Sequence, residues 1–474
     1  MKHVILTAEE LAQLFHLPVP GAPLKRRPLR IAPPHLGTSA GRIVCLSEDD
    51  ERRPVLLSNP DTLQHTHLLG PTGSGKSVLM LVMALSDISA GRGVGVIDTK
   101  GDLIRALLER IPDSAQDRVI LIDPSRKEMP VGLNVLQASD PEEHELVCDS
   151  TVTIFRRHFE QFWGPRTDDV MRSAILTVLR GTDPTLCEVP LLLLQPQARS
   201  HYTRGPSDPI GLGTFWRQYD AMSDAARLSA VGPVLNKLRA FLLKRTVRNI
   251  LGQPRSTIDI GSAMDSGAIV LVSLPKGLLG EETSRLLGSF LTARIWQATL
   301  KRADRPEEQR RDFNWYLDEF PDYLNLTQSL DEVLVEARGY HVGLTLAHQH
   351  MAQVRGSTRD ALSANARTRV VFQCGQDDAR YMAREYEPWM NERQLRNLQR
   401  FQVAVRLCSG GRTLPPFTGV TPPPPDSLGA DHAEKVAQAS LARVGRPRAE
   451  VEAALLVRLK ELGFAAGAEA DLLP

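Results

Sequence analysis

The sequence predicts an α/β fold on a mostly parallel sheet, with a helical insertion and a helical carboxy-terminal tail, and three observations lead there. Between residues 66 and 125, short apolar runs (THLLG, GVGVID, RVILID) alternate with helix-forming stretches (SVLMLVMALSDISAG, LIRALLERI), the pattern of parallel strands covered by helices. From about 140 to 260 this gives way to long amphipathic stretches such as EEHELVCDSTVTIFRRHFE, broken by a Pro/Gly-rich loop at 181–214, which reads as a mostly helical insertion. Strand-like runs then return as AIVLVSL, FNWYLDE, HVGLTLA, RVVFQC and QVAVRLC, before TPPPP separates an Ala/Leu/Glu/Arg-rich helical tail.

Composition excludes several classes. A chain of 474 residues with 42% hydrophobic and 24% charged residues is an ordinary globular protein, neither disordered nor collagen-like. Its 57 Lys+Arg oppose 56 Asp+Glu, so the net charge of +1 sets up no global field and any nucleic-acid contact must come from a local patch. Cys45, Cys148, Cys187, Cys374 and Cys408 include no C-x-x-C pair, which argues for a reducing compartment and against structural zinc. The longest apolar runs, VLMLVMAL and VPLLLLQP, are far shorter than a membrane helix, and the opening MKHVILTAEELAQLF carries acidic residues where a signal peptide is basic. The expected location is cytoplasmic, peripheral to the inner face of the cell membrane only where a partner anchors it.

The strongest chemical signal is GPTGSGKS, Gly70, Pro71, Thr72, Gly73, Ser74, Gly75, Lys76 and Ser77, which satisfies G-x-x-x-x-G-K-[ST] between an apolar strand and a helix. Glycines let such a loop curl so that successive amides point at phosphates, as Gly73 and Gly75 would here. Lys76 would reach the β and γ phosphates and Ser77 would bind Mg²⁺, with the positive end of the following helix aimed at the anion. The implied cofactors are ATP and Mg²⁺. Residues 1–60 are then a lead-in with a Pro/Arg-rich segment, 61–139 and 261–420 the two parts of a nucleotide-binding domain, 140–260 the helical insertion and 421–474 the proline linker and tail.

A phosphate loop needs carboxylates for the metal and for water. FNWYLDEF ends an apolar run in Asp318 and Glu319, which places Asp318 toward the metal and Glu319 toward the attacking water; the rival pairs Asp49/Asp50 and Asp168/Asp169 lack a preceding strand. Asp98, Lys100 and Asp102 in VIDTKGDL follow another strand and either line the same cleft or form a solvated turn. His341, His348 and His350 offer too few ligands for a metal, and none is assigned to them. From Val231 to Ile258 there are Lys237, Arg239, Lys244, Arg245, Arg248 and Arg255 and no acid, so this stretch either tracks DNA phosphates, meets a protein partner or is the charged face of an amphipathic helix.

Together with GPTGSGKS and WYLDEF, the stretches GVGVIDTKGDL, LNVL (133–136), FWGPRTDDVMRSAILTVL, MDSGAIVLVSLPKGLLG, EARGYHVGLTLAHQ and NARTRVVFQCGQDDARYMAREY occur in an order that resembles the HerA-FtsK superfamily of ring-forming P-loop motors, and within it the TraG-like coupling proteins of conjugative type IV secretion. The likeness runs from about residue 60 to 420. It implies a RecA-like P-loop NTPase that hydrolyses ATP to move DNA, a homohexamer, and as partners DNA, a relaxase or other transfer cargo, and secretion-channel components. It also implies that Gln349 senses the γ phosphate or attacking water, and that Arg338 is an arginine finger for a neighbouring subunit, with Arg367 and Arg369 as rivals. Many relatives carry amino-terminal membrane helices; the absence of any here implies a membrane-anchored partner or work in the cytosol.

Overall fold

The computed structural model describes residues 29–34, 40–49, 51–204, 208–326 and 328–463, so the opening segment LTAEELAQLFHLP and most of the Pro/Arg-rich lead-in lie outside the described residues. The strands are β1 (Arg42–Ser47), β2 (Pro54–Leu57), β3 (Thr66–Leu69), β4 (Gly93–Asp98), β5 (Val119–Ile122), β6 (Ile269–Ser273), β7 (Phe313–Asp318), β8 (Val342–His348), β9 (Thr368–Val371), β10 (Gln402–Arg406), β11 (Cys408–Ser409), β12 (Arg412–Thr413) and β13 (Phe417–Val420). The helices that bear on the site and its supports are labelled α1 (Lys76–Ser89), α2 (Asp102–Leu108), α3 (His144–His158), α4 (Pro165–Leu179), α5 (Asp224–Leu242), α6 (Arg245–Leu251), α7 (Glu281–Leu300), α8 (Leu330–Gly339), α9 (Gly356–Asn365), α10 (Gln376–Tyr386), α11 (Ala430–Val444) and α12 (Arg448–Glu461). Among the described residues no helix is long and apolar enough to cross a membrane.

Eleven strands form one sheet in the order β2-β1-β13-β10-β9-β3-β8-β7-β4-β6-β5. From β9 to β5 every pairing is parallel, and the four strands beyond β9 join antiparallel. The fold is thus α/β on a mostly parallel sheet. The parallel strands are buried on both faces, which is why they read as continuous apolar runs. Strand β7 shows how the faces divide: Phe313, Trp315 and Leu317 enter the core shared with the helical insertion, while Tyr316 enters the core under α1 and α2. Asp318 falls on the Tyr316 face by the two-residue period, which aims it toward the helix that follows the phosphate loop.

That helix is tied down by charge as well as by apolar contact. Asp87 on α1 accepts from Arg42 of β1 at 2.6 Å and from the Tyr316 hydroxyl at 2.7 Å, all three buried, and Arg92 adds a further pair at 2.7 Å. Here the structure departs from the sequence reading, because β1 and β2 lie inside the segment expected as lead-in and form one edge of the sheet. The carboxy-terminal helices are likewise packed rather than trailing. α11 covers β5, where Ser440 accepts from the Leu121 amide at 2.8 Å, and α12 lies against α6 of the insertion. Between β5 and β6 all described elements are helical, α3 to α6 among them.

Candidate functional site

Open parallel sheets bind ligands beyond the carboxyl ends of their strands, and β3, β7 and β8 end side by side at one edge. From β3 the chain passes into the glycine-rich loop. Gly70 is pressed against Phe372, where an added Cβ would stand 2.8 Å from the phenylalanine Cβ. Gly73 and Gly75 have φ of +81° and +113°, the left-handed region that favours glycine, and α1 begins at Lys76. The Gly70 amide donates to the His348 carbonyl at 3.2 Å, so the loop is hinged directly to the end of β8.

Four of the side chains singled out in the sequence converge there. Lys76 Nζ lies 3.0 Å from Glu319 Oε1 and 3.4 Å from Asp318 Oδ1. Gln349, one residue past β8, donates from Nε2 to the same Glu319 Oε1 at 2.6 Å, and its own Oε1 accepts from the Thr72 hydroxyl at 3.2 Å. Glu319 has φ of +52°, a conformation costly for a side-chain-bearing residue, of order 1 kcal/mol, and of the kind found at functional turns. Lys100 Nζ stands 3.8 Å from Glu319, while Asp98 is occupied in capping α2, accepting the amides of Leu103 at 2.8 Å and Ile104 at 3.3 Å. Asp102 is exposed. Lys76, expected to reach the β and γ phosphates, is 95% buried between the two acids, because β3 and β7 end at the same edge of the sheet with only β8 between them.

The two carboxylates are driven apart electrostatically. Burial, with Glu319 and Asp98 nearby, raises Asp318 above its usual range although Lys76 opposes it. Burial would also raise Glu319, but Lys76, Gln349 and Lys100 together hold it below the ordinary range. Asp318 Oδ1 and Glu319 Oε2 are buried without hydrogen-bond partners, as are the hydroxyls of Ser74 and Thr99 nearby. Carboxylate oxygens with spare acceptor capacity beside the phosphate loop are the donors a hard divalent cation takes, so these residues fit Mg²⁺.

A cavity of about 180 Å³ runs along the loop, lined by Thr72, Lys76, Ser77, Glu319, Arg400 and Phe401. The last two were missed in the sequence. The Phe401 amide donates to Ser74 at 3.2 Å and its ring packs on Gly75, where a Cβ would meet it at 2.7 Å; Arg400 lies over that ring at 4.8 Å. No motif announces them, since they reach the loop only because the turn before β10 crosses it. On the far side of Glu319 a second polar cleft of about 400 Å³ is bounded by Lys100, Lys276, Arg285, Asp322 and Gln349.

Buried histidines brace this edge. His67 on β3 and His348 on β8 stack with centroids 5.0 Å apart and share an Nε2···Nε2 hydrogen bond of 2.8 Å. His348 Nδ1 faces the His350 carbonyl at 2.9 Å and so carries the proton, which leaves His67 as donor to His348. His65 accepts the Leu344 amide on Nδ1 at 3.1 Å and donates to the Leu334 carbonyl at 2.6 Å. Burial pushes His67 well below 6.5 and brings His65 and His348 to about 4. A depressed folded value means full stability above pH 6.5 and loss as pH falls toward 4, about 2 kcal/mol each for His65 and His348 by pH 5. The melting temperature should therefore drop between pH 6.5 and 5, before most carboxylates titrate; a level profile over that interval would contradict the neutral, braced pair. His341 pairs instead with Asp312 at 2.8 Å and His350 with Asp378 at 3.3 Å, so the three histidines of that stretch do not converge.

The remaining residues lie elsewhere. Arg338 is exposed at the end of α8, before β8, and β8 at about 3.3 Å per residue separates it from the phosphate loop by roughly 20 Å. Arg369 is buried and paired with Glu385, which removes it as a rival finger; Arg367 is exposed and donates to the Gly411 carbonyl at 2.6 Å. The basic run does not form one face. Lys237 is buried, donating to the Pro233 carbonyl at 3.3 Å, and Lys244 donates to Leu279 and Thr283. Arg245 grips Glu452 of α12 through two contacts of 2.6 and 2.7 Å, and Arg248 donates to the Leu242 carbonyl at 3.2 Å. Of the six, Arg239 alone is exposed with no hydrogen bond or ion pair among the described residues. The run has no acid of its own, yet its charges are not all unopposed: Glu452 and, for Arg255, Asp183 arrive from distant parts of the chain.

A glycine-rich loop leading from a central parallel strand into a helix, with a carboxylate pair at the end of the next strand but one, defines a RecA-like P-loop fold. No protein-family model and no curated protein matches the sequence. Among solved structures the chain is similar to the bacterial conjugative coupling protein TrwB lacking its first 70 residues, at 16% identity and a TM-score of 0.56 over 85% of this chain and 96% of that one. It is similar also to TrwB in complex with ADP and Mg²⁺, at 16% identity and 0.57 over 87% and 98%. VirB4 of Thermoanaerobacter pseudethanolicus aligns at 14% identity and 0.56 over 83% and 99%.

Proposed function

We propose that the chain is an ATP-hydrolysing motor of a type IV secretion system, a coupling protein that moves DNA or a relaxase–DNA complex as a homohexamer, at the membrane through an anchored partner. The observation that carries this is the single oxygen of Glu319 gripped by both Lys76 and Gln349, which joins phosphate loop, base and sensor in one cluster. The loop amides and Lys76 take the phosphates, and the amino-terminal end of α1 adds its dipole. Ser77 and Asp318 are the residues that would hold Mg²⁺, which when bound neutralises charge on the phosphate oxygens. Glu319 accepts the proton of the attacking water, and Gln349 holds that water in line. As Lys76 turns to phosphate, the strongest influence holding Glu319 acidic is withdrawn, burial dominates, and the carboxylate becomes a better base.

The TrwB complexes with ADP and Mg²⁺ and with a non-hydrolysable ATP analogue support the nucleotide assignment by likeness of fold. The similar score against VirB4 favours a second reading, an ATPase that energises channel assembly or protein movement. Turnover measured with and without DNA separates the two. A motor on DNA should hydrolyse ATP several-fold faster when DNA is added, and a rate indifferent to DNA would favour the VirB4-like role.

A further inference from the structure

The last turn of α3 carries Arg156, Arg157 and His158, and the loop into α4 carries Phe162, which is 75% exposed. Arg355, immediately ahead of α9, reaches this loop and pairs with Glu160 at 3.0 Å. Three guanidinium groups from two parts of the fold therefore share one surface. Partial burial and the neighbouring Arg355 and Arg156 lower Arg157 below its ordinary range, with Glu160 offsetting only part of this. Arg157 makes no salt bridge or hydrogen bond among the described residues. Arg156 donates to the Thr153 hydroxyl at 3.3 Å and has Asp168 at 3.8 Å, and Asp168 is already the acceptor of the Trp163 indole at 2.9 Å.

The loop is held firmly enough to present its aromatic ring. Lys237 Nζ lies 5.7 Å from the Phe159 ring and 5.8 Å from that of Trp163, so this buried cation braces the loop from behind. Phe162 alone is turned outward. Clustered arginines attract a polyanion, and the Arg355–Glu160 pair, with side chains 74% and 66% exposed, is easily exchanged for a phosphate. An exposed ring beside them offers a stacking platform for a base, which a single strand can supply and a duplex, with its base faces covered, cannot.

We propose that Arg156, Arg157, Arg355 and Phe162 form a contact surface for single-stranded nucleic acid, phosphates on the guanidinium groups and a base on the ring. This rests on the reading of the chain as a motor on DNA. The surface is wired to the catalytic edge by a short segment: Gln353, two residues before Arg355, accepts the amides of Gln349 and His350, each at 3.0 Å. A strand drawing Arg355 away from Glu160 therefore pulls on the turn that positions Gln349.

The test is fluorescence anisotropy of the full chain with labelled oligo(dT) and with a duplex of equal length, across a salt series. The parent should bind the single strand more tightly than the duplex. Arg157→Gln and Arg355→Gln should each reduce the log–log salt slope by about 0.7. Phe162→Ala should weaken single-strand binding about five- to hundredfold and leave the slope unchanged. All three positions are exposed, so the variants should melt with the parent. If the parent binds oligo(dT) and all three variants bind it equally well, the surface lies elsewhere and the inference falls while the DNA reading stands. If the parent binds neither DNA, both fall. If Phe162→Ala alters subunit assembly in sedimentation and not strand binding, the patch is a subunit contact and the inference is overturned.

Discussion

Arg338→Ala should reduce ATP turnover by about 10³- to 10⁵-fold with little change in nucleotide affinity, the loss of an arginine finger. That is about 4 to 7 kcal/mol of transition-state stabilisation. The fold sets this arginine apart from its own site: Arg338 sits at the amino-terminal edge of β8 and the phosphate loop lies beyond the opposite edge. Its guanidinium is out of reach of its own chain's phosphate loop, so the finger role we propose for it is toward a neighbour in the ring. Co-expression with Lys76→Ala provides the check. Mixed rings contain interfaces where an intact phosphate loop from the Arg338→Ala subunit meets an intact arginine from the other, and those should regain hydrolysis. With mixing confirmed by mass and independent firing of interfaces established, no recovery at any ratio counts against the trans role. High activity of Arg338→Ala alone ends it.

Glu319→Gln should lower turnover by about 10²- to 10⁴-fold, the usual contribution of a general base. The amide keeps the side-chain shape and can still bond to Gln349, so nucleotide binding should persist and the ATP-loaded, assembled state should accumulate. Removing the negative charge also frees Lys76 from one of its two acidic partners, which favours its contact with phosphate. Single-turnover hydrolysis and size-exclusion chromatography with ATP read the two effects separately. Parental hydrolysis by this variant would transfer water activation to Asp318, whose raised proton affinity makes it the alternative base.

Local signals carried the sequence reading as far as they reach. Strands β3 to β8 could be read because burial on both faces makes them uninterrupted apolar runs, and the loop at Gly70–Ser77 because its chemistry depends on adjacent residues. β1 and β2 were not legible: RIVCLS and PVLL are short, follow a proline-rich stretch and acquire meaning only by pairing, β1 with β13 through Leu46 and Val420. The basic run at 231–258 misled for the same reason, since its counter-charge Glu452 sits on α12. Lys76 stands out in the loop motif, but its burial between Asp318 and Glu319 follows from the adjacency of β3, β8 and β7, which spacing does not encode. Arg400 and Phe401 likewise reach the loop only through a crossing turn.

That buried ammonium between two carboxylates is the centre of the account, and one comparison tests it most directly. ATP turnover of the full chain with Mg²⁺ is measured beside Lys76→Ala, with melting curves confirming that both are folded. Loss of Lys76 removes the phosphate contact and leaves Asp318 and Glu319 to share a proton, so the variant should fall to background while the parent turns over. Hydrolysis by folded Lys76→Ala at the parental rate would contradict the assignment of this edge of the sheet as the nucleotide site.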